Sequence, residues 1–165
     1  MIITDYLRKQ FIDEGSATRK MLALVREDDF GYKPHDKSMD LKTLASHLAD
    51  LPGWVHMTLT TNELDFATSP EPAPLPTADE MRAFFEKRYA DGLSVLTAEN
   101  ESLFGEQWTL RHGEMVYYAD TKLETLRHSL SQQIHHRAQL GVYLRLLDIP
   151  IPGSYGPSAD ETSFT

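Results

Sequence analysis

The sequence predicts an all-α protein, an antiparallel four-helix bundle with a short hairpin or extended excursion before its last helix. Two observations carry this. Four segments of roughly 20 residues or more repeat their apolar residues at the helical period. No regular alternation of strands and helices, the mark of a parallel sheet, runs along the chain. At 165 residues the default is one domain spanning 1–165.

The first helix is predicted from about Thr4, a plausible N-cap, to Arg26. Leu7, Phe11, Thr18, Met21, Leu22 and Val25 share one stripe, and Glu14 interrupts it. The turn-rich stretch DDFGYKPHDKSMD follows. A second helix is predicted from about Asp40 to Asn62, capped by Ser38 or Asp40, with Leu41, Leu44, Ala45, Leu48, Leu51, Val55 and Leu59 as its stripe. Pro52 lies inside it and should kink or divide it. His47 flanks that stripe, beside Leu44, Leu51 and Trp54.

SPEPAPLP, with its four prolines, excludes helix and reads as an extended connector. The third helix begins at TADE, where Thr77 and Glu80 match a capping box, and presents Met81, Phe84, Phe85, Val95 and Leu96. EQWTLRHGEMVYYAD then places apolar residues on both sides of the turn RHGE, the pattern of a short hairpin. A second capping box, Thr121 and Glu124, opens the last helix, which runs to about Leu147. The tail DIPIPGSYGPSADE is too rich in proline and glycine for helix and is expected to lie over the bundle as an ordered loop.

Several function classes are disfavoured. The net charge of −9 and a pI of about 5.2 argue against nucleic acid or an anionic membrane as the main partner, since phosphate binding needs a basic face. There is no cysteine, hence no disulfide framework, thiolate zinc site or cysteine nucleophile. No signal peptide or apolar run of ~18 residues is visible, so a cytoplasmic location is expected. GxGxxG, the phosphate-binding P-loop, GxSxG and HExxH motifs are absent, and so is the Glu-x-x-His pair of di-iron bundles.

The histidines of the last helix are the main candidates for chemistry. On a wheel of ~100° per residue, Leu123, Leu126, Leu130, Ile134, Leu140, Leu144 and Leu147 form the core stripe. His135 and His136 are neighbours and point about 100° apart, so they cannot chelate together. His136 lies on the flank of the stripe, with Gln132 and Tyr143 further out on the same side, whereas His128 and His135 project away. His47 sits similarly on the second helix, and imidazoles converging across a groove suit zinc, nickel or iron. Two hydrogen-bonded, partly buried histidines are the plainer alternative. Glu14 and Arg137 both fall on core stripes and are expected to pair with each other or with buried tyrosines. Such a pair is a structural brace or, alternatively, places Glu14 beside the site.

KPHDKSMDLKTLASHLADLPGW and IHHRAQLGVYLRLLDIPIPGSYGPSADE, with EGSATRKMLALV in the first helix, resemble the DinB-like family. These are damage-inducible-protein-like helical bundles related to thiol S-transferases. The resemblance spans nearly the whole chain. It implies a four-helix bundle with a three-histidine metal site, one ligand from the second helix and two, four residues apart, from the last. His47 and His136 match the first and last positions, and Gln132 stands where the middle histidine is expected. An amide oxygen is a neutral, harder donor and should hold a borderline metal more weakly. His128 lies about 12 Å along the helix axis from His136 and does not replace the missing ligand well. Glu14 is a remote candidate for it.

The resemblance therefore implies a metal-dependent enzyme of thiol S-transferase or hydrolase type, using a low-molecular-weight thiol or a metal-bound water. The alternative is a stress-related small-molecule-binding protein that has lost the metal, its groove lined by Trp54, Gln132, His136 and Tyr143. A third reading is a purely structural dimer module, for which the homodimerisation of family members is the only argument.

Overall fold

The structure, a computed structural model, describes residues 3–70 and 72–162. Helices α1 (Ile3–Leu22), α2 (Leu41–Asp50), α3 (Gly53–Thr60), α4 (Ala78–Val95) and α5 (Lys122–Leu146) account for most of it. Strands β1 (Glu63–Asp65), β2 (Gln107–His112) and β3 (Met115–Thr121) form a small sheet, and short 3-10 turns cover Glu27–Asp29 and Ala98–Leu103.

The purely helical architecture predicted from sequence is corrected by a small three-stranded sheet, whereas the expected break at Pro52 is present. Leu51 and Pro52 divide the second helix into α2 and α3, because proline has no N–H to continue the ladder. The pair still acts as one bent wall, with both halves packed against α4 and α5. The excursion before α5 is a true hairpin, β2 against β3, but β1 adds a third strand parallel to β2, pairing Glu63–Asp65 with Thr109–Arg111. Three residues are too few to show a period of two, so ELD carries no strand signal in the sequence.

Local chemistry fixes the helix ends. The side chains of Asp40, Thr77 and Thr121 accept from the backbone N–H of Thr43, Glu80 and Glu124. α1 stops at Leu22, four residues short of the predicted end. The hairpin turns at Gly113, whose φ of +58° suits a residue without Cβ.

α1 packs on α4 and α5, and α2/α3 pack on the same two helices, so α1 and α2/α3 stand at opposite corners of the bundle. One core cluster joins Met21, Leu41, Leu44, Leu48, Phe85, Leu140 and Leu144; the other joins Phe11, Val55, Leu59, Phe104, Leu126 and Leu130. The sheet closes one side by burying Trp108 completely, its indole N–H donating to Thr61 Oγ1 at 3.2 Å. The tail 151–162 is an ordered loop. The Ser158 hydroxyl donates to the Ile151 carbonyl at 2.6 Å, and the Asp160 and Glu161 carboxylates accept from the Ile151 and Gly153 amides. Among the described residues no helix is long and apolar enough to cross a membrane.

Candidate functional site

The bend at Pro52 and the start of α5 open a groove under the hairpin. It has a volume of about 370 Å³. α2 and α3 supply His47, Leu51 and Trp54; β2 and β3 supply Trp108, Leu110, Tyr117 and Tyr118; α5 supplies Thr125, His128, Ser129 and Gln132. The α5 contributors recur at three- and four-residue steps, one face of the helix.

At the inner end of this groove α2 meets α5 through two imidazoles. The rings of His47 and His136 lie edge to face, centroids 4.6 Å apart. His136 is 9% exposed, and its Nδ1 is buried with no hydrogen-bond partner among the described residues. Burial, first, and then the neighbouring His47 and His135 push its pKa from 6.5 down to about 4, with Gln139 acting in the opposite sense. At neutral pH His136 is therefore an uncharged imidazole, the form that ligates a metal.

The residues singled out from sequence fall in three places. His47, Gln132 and Trp54 line the groove. His136 is packed against His47 but is not itself among the lining residues. Tyr143 is in the core, edge-on to Tyr32, its hydroxyl donating to the Met39 carbonyl at 3.0 Å, so it is not a groove residue. Glu14 and Arg137 lie on the α1–α5 interface. Arg137 Nη1 is 2.7 Å from the Glu14 carboxylate and also donates to the Glu14 carbonyl and Thr18 Oγ1. The Tyr155 hydroxyl closes this cluster, donating to the Glu14 carboxylate and accepting from Arg137 Nη2, each at 2.8 Å. With its carboxylate so engaged, Glu14 is no third ligand for the histidine pair.

His128 needs correction. The helical wheel directs it away from the core, which holds, since it is exposed. Yet the hairpin folds over that face, so His128 lines the groove, stacked on Tyr118 with centroids 5.4 Å apart. Gln132 Nε2 lies 3.3 Å from His128 Nε2. A wheel computed for α5 alone could not show a wall supplied by β3. Ser129 was also missed: it is 3% exposed, lines the groove and leaves its hydroxyl without a partner. Its only sequence signal is a small polar residue one turn before Gln133 on the buried face.

The sequence matches the profile of the DinB family over residues 4–163. The chain belongs to the DinB family. An uncharacterised Bacillus subtilis protein, YrdA, is 23% identical over 166 residues, covering 95% of this chain and 90% of its own. A crystal structure of a DinB-like protein from the same organism superposes with a TM-score of 0.69 at 17% identity, over 96% of this chain and 99% of that one. The crystal structure of the mycothiol-dependent maleylpyruvate isomerase matches at a TM-score of 0.57 and 17% identity, over 85% of this chain and 61% of that one. These likenesses establish the shared bundle of this DinB family member. Among its described residues no group of three or more His, Cys, Asp or Glu is disposed to hold a metal.

Proposed function

We propose that this DinB family protein is a divalent-metal-dependent enzyme of the thiol S-transferase or hydrolase type, with its centre at His47, His136 and Gln132. The observation that carries this is the buried, neutral imidazole of His136, facing His47 with an Nδ1 that no group among the described residues satisfies. A buried polar atom without a partner is costly and is uncommon unless something else meets it. Two imidazoles and one amide oxygen fit a borderline ion such as zinc, nickel or iron, held less firmly than by three histidines.

When bound, the ion would polarise a thiol or water and lower its pKa. The chain's own groups do the rest. Trp54, Trp108 and the Tyr117–Tyr118 wall make the groove lining largely aromatic and limit how much water meets a bound substrate. His128, exposed and beside Gln132, is placed to take up the proton that a thiol or water releases. With the Gln132 amide donating, His128 Nε2 accepts and its ring proton sits on Nδ1, so Nε2 takes up the released proton as the Gln132 amide turns away from it. The structural likeness to a mycothiol-dependent isomerase makes a low-molecular-weight thiol the first co-substrate to try.

A second reading, a small-molecule-binding protein without metal, is favoured by Gln132 itself and by the lack of a three-ligand cluster among the described residues. Metal content by plasma mass spectrometry, after purification and zinc, nickel or iron loading, separates the two. The enzyme reading expects near-stoichiometric uptake that His47→Ala abolishes and Gln132→His tightens at least tenfold. Uptake by Gln132→His alone, with none by the wild type, would sink it in favour of the second reading.

A further inference from the structure

We infer that the groove takes an uncharged, flat aromatic molecule carrying one hydrogen-bonding group, and that this group meets Ser129. The inference rests on the reading of this groove as the working site and adds the chemical class of its ligand.

Three features of the lining point there. First, it is aromatic: Trp54 and Trp108, with ring centroids 6.2 Å apart, lie among the walls together with Tyr117 and Tyr118. Such rings favour stacked or edge-on contact with another flat ring. Second, among the described residues no Asp, Glu, Lys or Arg lines the groove. A charged ligand would be stripped of water with no opposite charge to meet it, and the net charge of −9 repels anions at longer range. Third, the Ser129 hydroxyl is buried, lines the groove and has no partner among the described residues. A ligand group at that point satisfies it. Size agrees as well: a dry cavity of about 150 Å³ holds benzene, so the groove's volume of about 370 Å³ accommodates a bicyclic ring system.

Three probes with one ring skeleton separate these terms: 1-naphthol, naphthalene and 1-naphthoate. They are titrated by calorimetry into the full chain at pH 8, with EDTA present throughout. Both tryptophans of the chain line the groove, so their two indole N–H signals in NMR report where a probe binds. We expect saturable binding of 1-naphthol that shifts both signals, at least tenfold tighter than 1-naphthoate. Ser129→Ala should weaken 1-naphthol about fivefold, the loss of one hydrogen bond, and leave naphthalene within twofold. Absence of saturable 1-naphthol binding would overturn the inference. So would 1-naphthoate binding as tightly, or equal effects of Ser129→Ala on 1-naphthol and naphthalene. Since EDTA removes metal from every titration, failure of the metal centre leaves these results unchanged.

Discussion

Glu14 and Arg137 form an ion pair at 2.7 Å with side chains only 6% and 2% exposed, tying the middle of α1 to the middle of α5. Two charges so deeply buried are stable together and costly apart. Arg137→Met should therefore destabilise the fold by about 3–5 kcal/mol, because it leaves the Glu14 carboxylate without its cation. Adding Glu14→Leu to Arg137→Met should restore part of that loss. Urea unfolding of both single variants and the double variant measures the coupling. A loss below about 1 kcal/mol for Arg137→Met, small enough for an exposed pair, would remove this pair from the structural account.

Tyr155 extends the same cluster into the tail. Its ring is 69% exposed, yet its hydroxyl reaches both Glu14 carboxylate oxygens and Arg137. Burial of the hydroxyl and its bond to Glu14 raise its pKa above the ordinary 10, so the donor stays protonated across the working range. Tyr155→Phe should cost about 1–2 kcal/mol, the lower end for a hydrogen bond to a charged group. It should also speed amide exchange across residues 151–162. Unchanged exchange there would show that the loop's own bonds through Ser158, Asp160 and Glu161 suffice to hold it.

Much of this was legible in the sequence, for physical reasons. Helix period, the Thr77 and Thr121 caps and the break at Pro52 are local properties, and each reads correctly from a few residues. The Glu14–Arg137 pair followed from two charges on apolar stripes. What was hidden depends on contacts between distant segments. β1 is a strand because β2 lies beside it. His128 belongs to the groove because β3 folds over an outward face of α5. Tyr143, which the wheel put on the groove side of α5, is held in the core by Tyr32 and Met39.

Gly92 marks where α4 crosses both α1 and the bend at Pro52. A Cβ there would lie 2.7 Å from Phe11 Cζ and 2.7 Å from the Pro52 carbonyl oxygen, and the latter is backbone that cannot step aside. Alanine is the better helix former by about 1 kcal/mol, so steric cost and propensity oppose each other. Overpacking of this kind costs roughly 1–3 kcal/mol, and we expect Gly92→Ala to be net destabilising by about 1–2 kcal/mol. Gly105→Ala, with nothing within 4 Å of the added carbon, is the matched control. Thermal unfolding should lower the midpoint of the first and leave the second within a degree or two. Equal midpoints would mean that the bend relaxes to make room.

The histidine pair gives stability a dependence on pH in the metal-free protein. Folded His136 has a pKa of about 4 against 6.5 in its unperturbed state. Between these values the unfolded chain binds a proton that the folded chain does not, so stability rises with pH through that window. Its contribution is complete above about pH 6.5 and is lost as pH falls toward 4. The loss should be on the order of 2 kcal/mol, allowing for screening by water at the groove. Carboxylates also titrate toward the acid end, so the informative quantity is the difference between wild type and His136→Leu. Urea unfolding in EDTA from pH 8 to 4.5 should show the wild type losing more stability than His136→Leu over this range. His47→Asn removes one of the two histidine neighbours that hold the His136 pKa down, the other being His135, and should move the steep part of the curve to higher pH. Parallel curves for wild type and His136→Leu would mean that His136 accepts its proton in the fold as readily as in the unfolded chain.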